Sequence, residues 1–477
     1  MRAHESMTLR QDIQSSSERR GWRVVILLML AGIAGQIDKS LLSLMVGPIQ
    51  KDLAITDLQM SLLLGFAFAV FMAVASLPLA WLADRSDRRI ILAVGVGAWS
   101  VMTALGAFTN DFTTLFITRA GVGVGEACLI PAGGALIADS FSRDRLARAN
   151  SVFIVGGAFG AGLSLLVGGG IVQWVSSGAY GSIPGLSGLH GWQAALILAA
   201  APGVVLAALI ALMVRDPRTV AAATAKARTD SVNETPSVGG AARSGGDASS
   251  GGGDESIGEF FREHRTTLLT LWLAYPLASA AAQGWLGWIP AHLSRSFGLD
   301  PGHAAVYFGL LILTCGAGGT LLGGYITDVL FRRGNSDAAL KISIFSFLCL
   351  ALIGALTPLA GSLTAMLCLL GPFFFFAGLM AVMPTLAMQL ITPPQYRARV
   401  IAGMLLAVTL IGGGLGPTAV ALIERLLGSP HSMGVALALT AGVLCPISAL
   451  LLHFARAPFA RSLAATAGAP LRRESTE

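Results

Sequence analysis

Four ionisable residues stand where the chain is otherwise apolar: Asp38, Lys39, Arg119 and Glu126. A charge at the centre of a bilayer costs at least about 2.5–3.5 kcal/mol on insertion scales, so each needs a partner or a wet cavity. Arg119 and Glu126 are seven residues apart, which puts them on one helical face with a rise of about 10 Å between them. A carboxylate in such a place can pair with a cation or take up a proton. Provided the helices that carry them are neighbours, the pattern predicts an ion-pair switch in which Asp38 pairs with Arg119, Glu126 competes for Arg119, and protonation frees the cation. The plainer alternative is a static salt bridge pinning two helices. Lys39 either lines the same cavity or extends outward to the polar boundary.

The elements that must hold these residues are membrane spans. Of 477 residues, 54% are hydrophobic and 12% are charged, about half the charge of a soluble domain; the mean hydropathy is +0.71. A hydrocarbon core of about 30 Å takes roughly 20 apolar residues per helix. Such runs lie at 23–46, 58–83, 90–108, 112–139, 148–174 and 191–213, then at 266–291, 304–329, 340–358, 363–391, 400–424 and 432–455. The expected fold is an all-α integral membrane protein of twelve transmembrane helices in two pseudo-symmetric six-helix bundles. Asp38 falls about 22 Å along the first span and Arg119 about 10 Å into the fourth, which runs the other way. The two reach similar depth.

Between the halves, 219–256 is rich in Gly, Ala and Ser without apolar period, and reads as a flexible tether. The expected division is a tail over 1–22, an N-terminal bundle over 23–218, the linker, a C-terminal bundle over 257–457 and a tail over 458–477. Residues 257–265 predict a short interfacial helix with Ile257, Phe260 and Phe261 toward lipid. Arg85, Arg88, Arg89, Arg143, Arg145, Arg148, Arg215, Arg218, Arg332, Arg333, Lys341, Arg397 and Arg399 all fall in loops on one side. That bias predicts cytoplasmic termini and linker in an inner, plasma-type membrane, with an uncleaved first span. The halves also echo each other: Ala80 to Arg89 and Gly324 to Arg333 each set a small residue four before an Asp (Asp84, Asp328) and then paired arginines.

The Asp84, Arg85, Arg88, Arg89 loop resembles the G-x-x-x-D-R-x-G-R-R signature of the major facilitator superfamily, with Ala80 and Asp87 where that family has glycines. Arg119, Gly123, Gly125 and Ala127 are similar to its fourth-helix R-x-x-x-G-x-G-x-A pattern, and Gly412 to Pro417 looks like its glycine-proline signature. Within the superfamily the likeness is to spinster-like proteins, carried by the first-span run from Asp38 to Gln50, the segments 78–85 and 119–127, and the run 410–418. Lys39 stands where an Arg is expected beside Asp38. The resemblance implies a monomer, helices one and four as neighbours, alternating access, and proton-linked movement of lysolipid- or sphingoid-type solutes. It also implies that Asp84, in the loop with Arg85, Arg88 and Arg89, stabilises the outward-facing arrangement; Asp139 and Arg143 are candidates for the same cytoplasmic network, with Asp328, Arg332 and Arg333 in the other half. Topology-setting charge is the plainer reading of those loops.

Candidate cavity residues are Gln36, Lys39, Tyr275, Gln283, Trp285, Trp288, Phe376 and Met383; charge on one wall and aromatics on the other would suit an amphipathic solute or an organic anion. The expected partners are a small-molecule solute, protons and membrane lipids, with no nucleic acid, since the basic residues form no single block. No metal or other cofactor is expected: the five cysteines sit singly in apolar stretches, and no phosphate-cradling G-x-x-x-x-G-K-[ST] occurs. The absence of H-E-x-x-H and G-x-S-x-G leaves a membrane-embedded enzyme as a remote alternative. A drug or small-carboxylate facilitator without proton coupling is the nearer rival.

Overall fold

The computed structural model describes residues 2–141, 143–183, 186–216, 254–335, 337–393, 396–428 and 432–468. The tether expected over 219–256 lies outside the described residues up to 253. Twelve long helices follow in order: α1 (Arg2–Leu44), α2 (Asp57–Ala83), α3 (Arg88–Gly106), α4 (Phe112–Ser140), α5 (Arg143–Ser176), α6 (Gly191–Met213), α7 (Arg265–Phe297), α8 (Pro301–Arg332), α9 (Ala338–Leu359), α10 (Leu363–Ile391), α11 (Arg399–Leu427) and α12 (Ser432–Gly468). Among the described residues, eleven of these contain a stretch long and apolar enough to cross a membrane. The exception is α7, whose 33 residues are ample in length but include Gln283, three Trp, one Tyr and two Pro.

Helices satisfy their own backbone, so both their faces can be apolar where lipid is the solvent. Leu77, Leu212, Leu321 and Phe454 stand well exposed while Trp99, Trp285, Phe347 and Met366 are buried. Capping marks the polar ends. Asp111 accepts from the Thr114 N–H at 2.9 Å at the start of α4, a backbone bond that holds its carboxyl below the usual range. Asp87 accepts from the Arg89 N–H at 2.9 Å at the start of α3.

By helix order, the loops between α2 and α3 and between α8 and α9 share one face with the α1 and α12 ends, here the terminal face; the opposite one is the far face. The halves meet through α5 against α8, α1 against α7, and α2 against α11. At the last crossing a Cβ on Gly65 would lie 2.2 Å from the Gly413 carbonyl oxygen. Only glycine lets these backbones approach so closely. Both helices carry a π-helical turn there, Leu62–Phe66 in α2 and Val408–Leu415 in α11, and such turns recur at functional sites.

Two sequence expectations change at the terminal face. Helix Asp254–Glu263 precedes α7, but Phe260 is buried against His264 and Tyr396 rather than facing lipid, and Phe261 meets Trp272 edge-on. The Ile257 side chain is outside the described part. The last helix does not stop near 457: it runs to Gly468, because Phe459 is wholly buried and Ser462 reaches Thr267 of α7 at 3.1 Å.

Candidate functional site

Two ion pairs join α1 to α4. Arg119 forks onto Asp38, with its Nη1 donating to Oδ1 at 3.3 Å and its Nη2 to Oδ2. Both residues are buried, 4% and 2% exposed, so this bidentate pair is closed off from bulk water. Glu126 is not on Arg119. Lys39 Nζ donates to its Oε2 at 2.7 Å, and the expected competition for the arginine is absent from this arrangement.

Lys39 therefore neither extends to the polar boundary nor stands alone. Its ammonium lies 4.2 Å from the centre of the Phe68 ring, a cation–π contact, and 3.3 Å from Gln36 Oε1. The lysine side chain stays 37% exposed while that of Glu126 is 9% exposed. Glu126 Oε1 has no hydrogen-bond partner although it is buried. It presses on Gly35, where a Cβ would come within 2.6 Å of it. The carboxylate thus holds one strong donor on one oxygen and none on the other.

A cavity of about 290 Å3 opens beside this pair, between the halves. Lys39 supplies its charge, and among the described residues it is the single ionisable one in the lining. Gln36, Ser40, Ser43, Ser164 and Gln283 add hydrogen-bonding groups, and Phe68, Met72, Leu165 and Leu286 make the apolar wall. Ser40 and Ser164 lie 2.7 Å apart, tying α1 to α5. Of the residues expected from sequence, Gln36, Lys39 and Gln283 line the cavity.

The aromatic candidates do not. Tyr275 is buried in the C-terminal bundle with its hydroxyl 3.0 Å from Ser343 Oγ. The Trp285 indole donates to the Leu437 carbonyl at 3.0 Å and stacks on Phe373. Trp288 donates to the Pro417 carbonyl at 3.0 Å. Met383 is buried and within 3.7 Å of Thr327. Phe376 packs edge-on against Phe345, an exposed lipid-side residue. These side chains hold the C-terminal bundle together. Phe68, Ser40, Ser43 and Ser164 are among the lining residues that sequence reading passed over, since nothing in an apolar helix marks its inward face.

The terminal-face loop is ordered around a buried arginine. Arg88, 2% exposed, donates from Nη1 to Asp139 Oδ2 at 2.6 Å, and its backbone N–H donates to Asp216 Oδ2 at 3.0 Å. Asp216, itself buried, lies just past α6 and carried no sequence signal. Arg85 lies over the Trp81 ring at 4.1 Å, and Arg89 reaches Asp87 at 3.4 Å. The side chains of Asp84, Arg143 and Asp328 lie outside the described part, and Arg332 and Arg333 are exposed. The matching corner of the C-terminal bundle is held instead by Asp337, which accepts from Lys341 Nζ and Arg456 Nε, each at 2.8 Å.

Comparison with known proteins agrees with this architecture. The family model described as Major Facilitator Superfamily matches residues 28–417. The chain is 27% identical over 451 residues to an "MFS-type efflux pump" of Mycolicibacterium smegmatis, covering 93% of this chain and 95% of the relative. It is 25% identical over 360 residues to the "Probable L-galactonate transporter" of Escherichia coli, covering 74% and 73% respectively. Among solved structures, a bacterial homolog of the human lysosomal transporter spinster, inward-facing and unoccupied, superposes with a TM-score of 0.71 at 22% identity. That match covers 94% of this chain and 98% of the other.

Proposed function

The chain belongs to the Major Facilitator Superfamily, and from that membership we propose that it is a proton-coupled secondary transporter for an organic anion with an apolar body. One observation carries the reading: among the described residues, the single ionisable side chain lining the cavity is Lys39, and its partner is the half-satisfied carboxylate of Glu126. A solute carboxylate or phosphate that docks on Lys39 competes with Glu126 for the same ammonium. Once displaced, Glu126 has no donor on either oxygen in a low-dielectric site, and it takes a proton. Solute and proton then occupy the site together. Arg119 and Asp38 serve this exchange by fixing α4 against α1, so that Glu126 stays level with Lys39.

Rocking of the halves about the α2–α11 and α5–α8 contacts supplies alternating access. The arginine-rich terminal face is cytoplasmic in this reading, in a plasma-type membrane, and a single chain is the working unit. One relative is named a probable transporter of L-galactonate, a carboxylate; the apolar wall here suits an amphipathic acid, lysolipid-type included. The likeness to an efflux pump favours a second reading, export of neutral or cationic drugs without proton coupling.

Uptake into proteoliposomes under an imposed pH gradient, using paired acids and their neutral amides or esters, separates the two. The proposal expects acids to be carried and Lys39→Met to abolish their transport. Equal transport of the uncharged analogues, or acid transport that survives Lys39→Met, would refute it.

A further inference from the structure

A second group of charges lies at the far end of the interface between the halves, well away from Glu126. Arg295, near the end of α7, spends its fork on Asp57 at the start of α2: Nη2 donates to Oδ1 at 2.6 Å and Nη1 to Oδ2 at 3.2 Å. Nη2 also donates to Gln50 Oε1 at 2.8 Å, and Gln50 returns a bond to Asp57 Oδ1 at 2.7 Å. Glu424 of α11 receives what remains, with its Oε1 3.5 Å from Nη1. Its Oε2 is buried without a hydrogen-bond partner. The Glu424 side chain is 14% exposed, less than Asp57 or Arg295.

Two carboxylates thus meet one guanidinium, and the guanidinium is committed to Asp57. Glu424 is the surplus negative charge. The other charged neighbours do not balance it. Arg425, next along α11, is exposed, as is Lys51 in the short helix Val46–Leu53. His292 of α7 is buried with its Nδ1 3.2 Å from Ser296 Oγ. α12 carries no acidic or basic side chain from Ser432 to Leu452.

We propose that Glu424 is a second proton-binding site, one that fills when the far face closes and empties when it opens. Asp57 and Gln50 belong to the N-terminal half, Arg295 and Glu424 to the C-terminal half. Opening the far face carries Asp57 away and returns the guanidinium to Glu424, which is then stable as the ion. Closing brings Asp57 back, takes the guanidinium, and leaves Glu424 as a buried carboxylate beside a like charge, a setting that favours the protonated form. By linkage, acid on the far side favours the closed far face. The proposal is independent of what Lys39 binds, because no part of the cluster lines that cavity.

The test uses the full chain in lipid nanodiscs, with its five cysteines replaced and spin labels at Ala54→Cys and Leu426→Cys, both exposed far-face positions. Glu126→Gln is present throughout to silence the inner carboxylate. Pulsed electron–electron resonance reads the closed and open populations against pH. The closed-to-open ratio is expected to rise as pH falls, by up to about tenfold per pH unit for a single proton. Glu424→Gln should hold that ratio high and flat, and Asp57→Asn, which removes the competing charge, should flatten it independently. Distances that ignore pH in the parent, or a Glu424→Gln protein that keeps the parent's slope, overturn the proposal.

Discussion

Replacing Asp38 with Asn tests how the two α1–α4 pairs divide their work. The substitution leaves a guanidinium that is 4% exposed facing a neutral amide. Removing one partner of a buried ion pair costs about 3–5 kcal/mol, because the remaining charge stays desolvated. For a bundle of roughly 200 residues, each kcal/mol moves the melting temperature by about 2–4 °C, so a fall of about 6–20 °C is expected. Glu126→Gln should cost far less, since Lys39 is more than a third exposed and keeps a hydrogen-bond acceptor. The assay is intrinsic tryptophan fluorescence on detergent-purified protein, all variants melted at one scan rate. Asp38→Asn with Arg119→Gln should lose less than the sum of the single changes, as contacting groups do. An Asp38→Asn protein that melts with wild type, or a Glu126→Gln protein that melts lower than Asp38→Asn, would refute the division into a buried clamp and an exchangeable pair.

Three further outcomes follow from the same geometry. Gly65→Leu puts a side chain where even a Cβ would lie 2.2 Å from a backbone oxygen; the far face should be wedged apart, and an impermeant thiol reagent added there should reach Ser43→Cys in the cavity faster than in the parent. At the terminal face, burial raises the Asp337 carboxyl, but the bonds from Lys341 and Arg456 outweigh it and hold the group below its ordinary value. Its contribution is therefore complete above the ordinary value of about 3.9 and is lost as pH falls through the lower folded value; Asp337→Asn should lower the melting temperature at neutral pH, with the gap closing in acid. Trp288→Phe removes the donor to the Pro417 carbonyl and should destabilise the C-terminal bundle without changing which solutes bind, as competition binding with paired acids and amides would show.

The fold was legible because apolar runs of span length report the solvent directly, and the one span that escapes a composition rule, α7, is long but studded with Gln, Trp and Pro. The Asp38–Arg119 pair was legible too, since counting residues along two antiparallel helices places both at one depth and the family resemblance makes those helices neighbours. Glu126 was assigned to Arg119 because seven residues return to the same helical face. The rise between them takes it a level deeper, where the long lysine stem reaches it and Gly35 makes room. Depth can be counted in a sequence, but side-chain reach and a missing Cβ cannot. Tyr275, Trp285 and Trp288 were misplaced for a different reason: the aromatic residues of α7 do not themselves mark which of its faces meets its own bundle. Asp57, Arg295 and Glu424 sit at span ends, where charge ordinarily means only topology.

The measurement that bears most directly on the coupling claim is solute movement by Glu126→Gln protein in proteoliposomes, with and without a pH gradient. The account predicts that the wild type accumulates an amphipathic acid when the gradient is imposed. Glu126→Gln should still exchange labelled for unlabelled acid across the membrane, because Lys39 remains to bind it, but should show no accumulation. A Glu126→Gln protein that accumulates the acid in response to the gradient as wild type does would contradict the account and move the coupling proton to another group.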